Sequence, residues 1–134
     1  MHYCYNTGGQ EAHRSLKGGY CGVRALVIAH PDLQWPEAEA WLKSYTQRGK
    51  AGNRKLCKGI YKEDYSAALA DLGWVWCQAP TFTGRKARAA DLADEGIVIA
   101  RQAGHYTAVV DGVINDIWDC SHKMVYGFWR YEHG

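Results

Sequence analysis

Among the five cysteines of this 134-residue chain, Cys21 has the surroundings that thiol chemistry requires. A cysteine attacks as the thiolate, so a reactive cysteine needs a cationic neighbour or a helix N-terminus that lowers its pKa. Cys21 opens the apolar run Cys-Gly-Val-Arg-Ala-Leu-Val-Ile-Ala, and Gly18-Gly19 just before it leaves room for a substrate. If the run is a helix, its macrodipole and unpaired N–H groups favour a thiolate at its start. We therefore predict that Cys21 is a nucleophile.

A base for this thiol is predicted at His105, which begins a run of β-forming residues. Asp111-Gly112 separates that run from a second one, Val113–Trp118. An Asp-Gly pair between two such runs is the strongest short-range signal for a β-hairpin. His105 is therefore expected to lie on the first strand of a hairpin, opposite any residue that could orient its ring.

The hairpin register selects the third residue of the site. A two-residue turn pairs the residues as follows: Val110 with Val113, Val109 with Ile114, Thr107 with Asp116, and His105 with Trp118. Because side chains alternate between faces, Asp116 is a diagonal neighbour of His105, about 7 to 8 Å away between backbones. Asn115 points to the other face, and Asp119 lies beyond the paired region. Asp116 is thus predicted to orient the imidazole and to stabilise the imidazolium.

The other four cysteines do not indicate a metal or disulfide framework. They are Cys4, Cys57, Cys77 and Cys120. Together with Cys21 they make an odd number of cysteines, and no short spacing between them is repeated. Cys120-Ser-His122 does not have the spacing of an ordinary structural zinc site. We therefore expect reduced thiols, as in a cytoplasmic protein, and we predict no metal and no cofactor.

The composition is that of one packed domain, residues 1–134, without a strong charge bias. Hydrophobic residues make up 47% and charged residues 22%, and the formal net charge is +2, too small to predict a nucleic-acid partner. One basic stretch, Arg48–Lys58, is predicted to be a solvated loop. No window has the apolar length of a membrane span, and the N-terminus lacks the pattern of a signal peptide. Neither a membrane partner nor export is expected.

Helices are predicted first along the chain and strands afterwards. The predicted helices are Trp35–Gln47 and Lys62–Leu72, whereas 21–29 suits either a helix or a strand, and the polar segment before Cys21 is predicted to be a loop. After Gly73 the pattern predicts a short helical turn at Ala87–Asp94 and β-structure at Trp74–Gln78, Ile97–Ala100, His105–Val110, Val113–Trp118 and Met124–Arg130. This order indicates an α+β domain without βαβ alternation.

The chemistry-bearing strings resemble those of papain-like cysteine peptidases. GGYCGVRALVIA resembles their nucleophile helix, and GHYTAVVDGVINDIWD resembles their histidine strand and the acid-bearing strand after it. The whole chain is also similar to small phage and prophage proteins that share four motifs. Those motifs stand here at Asn6–Gly9, Cys21–Ala25, Asp111–Asp116 and Val125–Trp129.

The resemblance implies a thiol peptidase without a cofactor, in which an acyl-enzyme forms on Cys21 and water releases it. Papain-like enzymes usually place an oxyanion-hole Gln a few residues before the nucleophile, and here that offset falls on Ser15. Gln10 or Asn6 is therefore predicted to fold back as the oxyanion donor, with Gln10 preferred and Lys17 as another option. Together with the Cys21 backbone N–H, such a donor would complete an oxyanion site.

We therefore expect an α+β domain with a papain-like fold, its N-terminal helices packed on a small antiparallel sheet. The predicted activity is hydrolysis of a peptide or isopeptide bond in a protein or peptide substrate by Cys21, His105 and Asp116. Acyl transfer on the same triad, including transglutaminase-like chemistry, is a second class, because the thioester does not specify its acceptor. A third class is a non-enzymatic phage accessory protein that binds a host or virion protein.

Overall fold

The computed structural model describes residues 2–30, 32–46 and 55–132. Its α-helices are α1 (Cys21–Ala29), α2 (Trp35–Thr46) and α3 (Lys62–Ala70), and short 3-10 helices occupy Gln10–Ala12, Leu56–Lys58 and Ala89–Glu95. Its strands are β1 (Tyr3–Tyr5), β2 (Trp74–Gln78), β3 (Ile97–Gln102), β4 (His105–Val110), β5 (Val113–Asp116) and β6 (Gly127–Tyr131). The chain is thus α+β, as predicted.

The segment that periodicity left ambiguous is a helix. α1 begins at Cys21 and ends before His30, whose extended backbone suits the residue before Pro31. Its β-branched residues favour a strand only weakly, and burial of Val23, Ala25 and Leu26 against the sheet outweighs that preference. Helix formation brings Cys21 to the positive end of the helix dipole.

The sheet is mixed, which corrects the prediction of a purely antiparallel sheet. The strand order is β1-β5-β4-β3-β6-β2, and every neighbouring pair is antiparallel except β1 and β5, which are parallel. The prediction missed β1 because three residues are too few to show an alternation of polar and apolar side chains. β1 lies at the edge of the sheet and pairs Tyr5 with Asp116.

The predicted β4–β5 hairpin is confirmed, with its register next to the turn. The pairing reaches Ala108–Asn115 and β5 ends at Asp116, so the predicted pairs Thr107–Asp116 and His105–Trp118 lie beyond it. Val110 pairs with Val113 and Val109 with Ile114. Asp111 and Gly112 both have positive φ, 51° and 81°, as a type I′ turn requires. The register therefore carries Asp116 to the same face of the sheet as His105.

Apolar side chains cover both faces of the sheet. On one face, Ile99, Tyr106, Ala108 and Trp129 pack against the α-helices. On the other, a second core contains residues from the strands, from Ala89–Glu95 and from the chain after β5: Ala89, Leu92, Val98, Ala100, Val109, Ile114, Cys120, Val125 and Phe128. Burial on both faces holds β4, the strand of His105, at the centre of the domain.

The predicted bounds agree with the observed elements to within a few residues, and β2 and β4 agree completely. The predicted helix at 87–94 is the 3-10 helix Ala89–Glu95. Residues 47–54, including most of the predicted basic loop and the last residue of the predicted Trp35–Gln47 helix, lie outside the described residues. No helix among the described residues has both the length and the apolar character needed to cross a membrane.

Candidate active site

Cys21 is the first residue of α1, and no side chain caps this end of the helix. The first N–H groups of an α-helix have no acceptor within the helix, so they direct positive potential at the Cys21 sulfur. Gly19 just before it lies against the backbone of residues 57–59, where an added Cβ would come within 2.5 Å of the Gly59 nitrogen. A glycine at 19 is therefore required for the chain to enter α1 beside this loop.

His105 connects the thiol to Asp116. Its Nε2 lies 2.7 Å from Asp116 Oδ2, and the ring is close enough to the Cys21 thiol to lower the pKa of that thiol. The structure thus brings the three predicted residues together: His105 is hydrogen-bonded to Asp116 and interacts electrostatically with Cys21.

The Asp116 carboxylate is fixed by buried donors besides the histidine. Arg24 approaches Oδ1 with Nε and Nη2, both at 3.0 Å, and the Ile117 backbone N–H donates to the same oxygen at 2.7 Å. Thr107 Oγ1 donates to Oδ2 at 2.6 Å. The side chains of Asp116 and Arg24 are only 1% and 5% exposed. A buried carboxylate remains ionised only when it is paired and hydrogen-bonded in this way.

The pKa shifts within this group favour a thiolate–imidazolium pair. Burial acts to lower the pKa of His105, but hydrogen bonds to Asp116, Cys120 and Cys21 outweigh it and raise that pKa to about 11. Burial acts to raise the pKa of Cys21, yet the hydrogen bond and charge of His105, with help from the Tyr106 backbone and Arg24, lower it. For Asp116, the His105 and Thr107 hydrogen bonds overcome burial and lower the pKa. Proton transfer from Cys21 to His105 is therefore favoured in the resting site.

The residues predicted as oxyanion donors have other partners, which corrects that part of the site. Gln10 is fully buried, its Oε1 accepts from Arg24 Nη1 at 2.8 Å, and its Nε2 donates to the Ser15 carbonyl at 2.7 Å. Asn6 Nδ2 donates to Asn115 Oδ1 at 3.2 Å. Neither Gln10 nor Asn6 lines the pocket beside Cys21. Gln10 instead holds the guanidinium that binds Asp116.

A pocket of about 290 Å³ opens beside the thiol. Cys21 and His105 lie in its wall together with Gly19, Gly59 and Tyr106. The volume is at the small end of ligand-sized clefts, suited to a side chain and its peptide bond. The thiol is thus accessible from a defined cavity rather than from an open surface.

Two tyrosines hold the helix and the histidine strand in place behind the pocket. Tyr65 of α3 stacks on Tyr106 with ring centroids 4.2 Å apart, and its hydroxyl donates to the Gly22 carbonyl at 2.8 Å. The Tyr106 hydroxyl donates to the Ile60 carbonyl at 2.8 Å. A Cβ on Gly22 would lie 3.0 Å from the Tyr65 ring, so this packing leaves no room for a side chain there. The position of Cys21 is therefore set by buried aromatic packing.

Trp118 lies on the solvent side of the histidine. Its ring centroid is 5.2 Å from that of His105, although Trp118 lies two residues beyond the end of β5. The side chain is 39% exposed, so part of it meets water while its ring contacts the imidazole.

Within the described residues, three atoms of types that bind metal ions lie close together beside the triad. His105, Asp116 and Cys120 place one nitrogen, oxygen and sulfur within 4.8 Å of one another. However, Nε2 and Oδ2 are only 2.7 Å apart, whereas two ligands of a tetrahedral zinc ion about 2.0 to 2.2 Å from it lie over 3 Å apart. Asp116 is also occupied by Arg24 and Thr107. The arrangement is that of a hydrogen bond, not of a shared metal ion.

Three residues near the triad were not predicted as part of the site: Arg24, Thr107 and Cys120. Arg24 had a visible signal, because it is the one charged residue in an otherwise apolar run, three positions after Cys21 on the same side of a helix. The hairpin register places Thr107 on the same face as His105, but a threonine at that place does not by itself indicate a role. Cys120 lies after the last paired residue of β5, so periodicity carried no information about it.

No protein-family model matches the chain, and no curated protein or solved structure matches it. The function therefore has to be inferred from the geometry of the site.

Proposed function

We propose that this protein is a cysteine hydrolase with a papain-like arrangement, which cleaves a peptide or isopeptide bond through Cys21, His105 and Asp116. The observation that carries the proposal is the position of His105: its Nε2 lies 2.7 Å from Asp116 Oδ2, it shares the pocket wall with Cys21, and the two side chains shift each other's pKa. A nucleophile, a base and a residue that orients the base, gathered at one pocket, form the usual basis of acyl transfer.

The first half of the reaction forms an acyl-enzyme. The Cys21 thiolate attacks the substrate carbonyl carbon, a C–S bond forms, and negative charge develops on the carbonyl oxygen. The Cys21 backbone N–H at the uncapped start of α1 is the donor that this position supplies to that oxygen. As the C–N bond breaks, the His105 imidazolium gives its proton to the leaving nitrogen.

The second half returns the enzyme to its resting state. Neutral His105 removes a proton from water, the resulting hydroxide adds to the thioester carbon, and the C–S bond breaks to give a carboxylic acid and the Cys21 thiolate. Asp116 keeps the imidazole oriented in both halves and stabilises its protonated form. Arg24 is a positioning residue, because it binds Asp116; its charge also helps to lower the pKa of Cys21.

Thiol labelling tests the nucleophile without knowledge of the substrate. At pH 6, iodoacetamide is expected to modify Cys21 at least about tenfold faster than exposed Cys4, because His105 lowers the pKa of the Cys21 thiol. Intact-mass and peptide-mapping measurements give both rates in one sample. Equal rates at the five cysteines would contradict the proposed site.

A peptide-library digest then tests the reaction. The wild-type protein is expected to generate new termini, Cys21→Ala to generate none, and Cys4→Ala, the matched control, to act like the wild type. In water enriched with oxygen-18, hydrolysis places the label in the new carboxylate, whereas transfer to an added amine gives an unlabelled amide. Cleavage that survives in Cys21→Ala would refute the assignment of the nucleophile.

A further inference from the structure

The pocket beside Cys21 has a positively charged wall. Besides His105, the ionisable cationic residues that line it are Lys58, Lys62 and Arg101, and no carboxylate is among the described residues of the wall. Such a wall favours the entry of a negatively charged group, because like charges in a confined cleft focus the electrostatic potential. The formal net charge of +2 does not reveal this positive wall, because the wall results from where the cationic residues lie and not from how many there are.

Two of these cations are supported by aromatic rings. The Lys62 ammonium lies 4.3 Å from the centroid of the Trp76 ring, and the Arg101 guanidinium lies 5.5 Å from that of Tyr126. Within the described part of the chain, neither of them forms an ion pair with a carboxylate. A ring holds a cation in place without neutralising it. Both charges are thus oriented and still able to bind an anion.

Helix starts add to the positive potential. α1 begins at Cys21 and α3 at Lys62, and both residues lie in the pocket wall. The N-terminal end of each helix carries a partial positive charge. Glu63 and Asp64 occupy the first turn of α3 and offset part of this potential, but they lie outside the wall.

We infer that the pocket selects a substrate with a carboxylate beside the bond that is cleaved, an inference that rests on the proposed hydrolase site. The carboxylate approaches Lys62 and Arg101 while the neighbouring carbonyl carbon meets the Cys21 sulfur. An acidic side chain and the free C-terminus of a peptide offer the same chemistry, so the two sources have to be separated by experiment.

The ratio of two alkylation rates measures this preference at the thiol itself. Iodoacetate carries a carboxylate and iodoacetamide is its neutral analogue; with either reagent the thiolate forms a C–S bond and iodide leaves. The iodoacetate-to-iodoacetamide rate ratio is expected to be at least about threefold higher at Cys21 than at exposed Cys4 of the same molecule, and to fall as salt rises. An equal ratio at the two thiols would overturn the inference.

Charge-neutralising variants locate the cause of the preference. Lys62→Gln and Arg101→Gln are each expected to lower the Cys21 ratio by about threefold, the effect of one unit charge several ångströms away in a largely aqueous cleft. Lys43→Gln, an exposed residue in the last turn of α2, is the matched control and should leave the ratio unchanged. If neither pocket substitution changes the ratio at Cys21, the role proposed for Lys62 and Arg101 is refuted.

Three chloroacetyl compounds separate the two sources of carboxylate. Chloroacetyl-glutamate α-amide has only the acidic side chain, chloroacetyl-glutamine has only the free terminus, and chloroacetyl-glutamine amide has neither. Faster labelling of Cys21 by one of the two anions identifies the source, and equal labelling by all three contradicts the inference. Slow labelling of Cys21 by iodoacetamide at pH 6 contradicts the hydrolase proposal instead, so the two failures are distinguishable.

Discussion

Two histidines of this protein lie beside tryptophans, yet their pKa values shift in opposite directions. The His30 ring centroid is 5.9 Å from that of Trp74, and its Nδ1 accepts a hydrogen bond from the indole N–H at 2.9 Å. Burial lowers the pKa of His30, and the charge of Asp32 offsets this only in part. His105 is 5.2 Å from Trp118, but its pKa is raised to about 11, because the hydrogen bond to Asp116 outweighs burial.

The contrast attributes the raised pKa of His105 first to the carboxylate of Asp116, with smaller contributions from Cys120 and Cys21, and not to burial or an aromatic neighbour. A buried histidine whose nitrogen only accepts a hydrogen bond is kept neutral. A buried carboxylate has the opposite effect, provided that it is itself kept ionised. Arg24, Thr107 and the Ile117 N–H keep Asp116 ionised. The charge state of the Cys21 thiol therefore depends on Asp116, which binds His105, and on the donors that bind Asp116.

The largest effect is expected from Asp116→Asn. The substitution leaves Arg24 and the imidazole without a buried counter-ion, so His105 should behave like His30 and become neutral. We expect labelling of Cys21 by iodoacetamide at pH 6 to fall at least about tenfold, and stability to fall by about 3–5 kcal/mol. Quenched alkylation followed by mass spectrometry measures the labelling rate, and urea unfolding measures the stability.

Asp119→Asn is the control for that substitution. Asp119 follows the same strand and its hydrogen bonds are to Ser121, so its carboxylate serves only a local turn. The variant should label and unfold like the wild type. If both variants label Cys21 equally fast at pH 6, the carboxylate of Asp116 is not what holds the proton on His105.

Arg24→Met should have the next largest effect. It removes the guanidinium from a carboxylate that is 1% exposed, which is expected to cost about 3 kcal/mol, since Thr107 and Ile117 still donate to it. Arg85→Met breaks an ion pair with Asp91 in which Arg85 is 52% exposed, and should cost much less, because water screens an exposed pair. Equal losses in urea unfolding would show that the Arg24 pair contributes no more than a surface pair.

A smaller effect is expected from Thr107→Val, which removes the 2.6 Å hydrogen bond to Asp116. Stability should fall by about 1–2 kcal/mol, and labelling of Cys21 at pH 6 should slow by a few-fold as the carboxylate loses one donor. Thr46→Val is the matched control, because buried Thr46 donates to a carbonyl of its own helix, Lys43 O, at 2.8 Å. This variant should lose stability without slowing the labelling of Cys21. Slower labelling in both variants would show that the effect of Thr107→Val comes from reduced stability and not from the lost hydrogen bond to Asp116.

The smallest effect concerns His30. Because its pKa is lowered, the unfolded chain binds the proton more readily than the folded chain, so stability is lost as pH falls below the ordinary histidine pKa of about 6.5. His30→Asn retains an acceptor for Trp74 and removes the titration. The difference in Tm between pH 7 and pH 5 should therefore shrink by a few degrees at most. An unchanged difference would show that His30 is protonated as easily in the folded chain as in the unfolded one.

The sequence predicted the local chemistry better than the long-range packing. The Asp111-Gly112 turn has a single favourable geometry, so two adjacent residues were enough to set the register and to place Asp116 beside His105. The parallel pairing of β1 with β5 had no such local signal, because it joins segments more than 100 residues apart. The roles of Gln10 and Arg24 were missed for the same reason: each depends on which buried groups meet across the domain, and spacing does not reveal that.

The central claim is that His105 is an imidazolium beside a Cys21 thiolate, and ring nitrogen NMR tests it most directly. With nitrogen-15-labelled histidine, assigned by comparison with His105→Gln, both ring nitrogens of His105 are expected to stay protonated at pH 8 and to titrate near 11, whereas His30 should be neutral. A neutral His105 ring at pH 8, titrating near the ordinary value of about 6.5, would contradict the account.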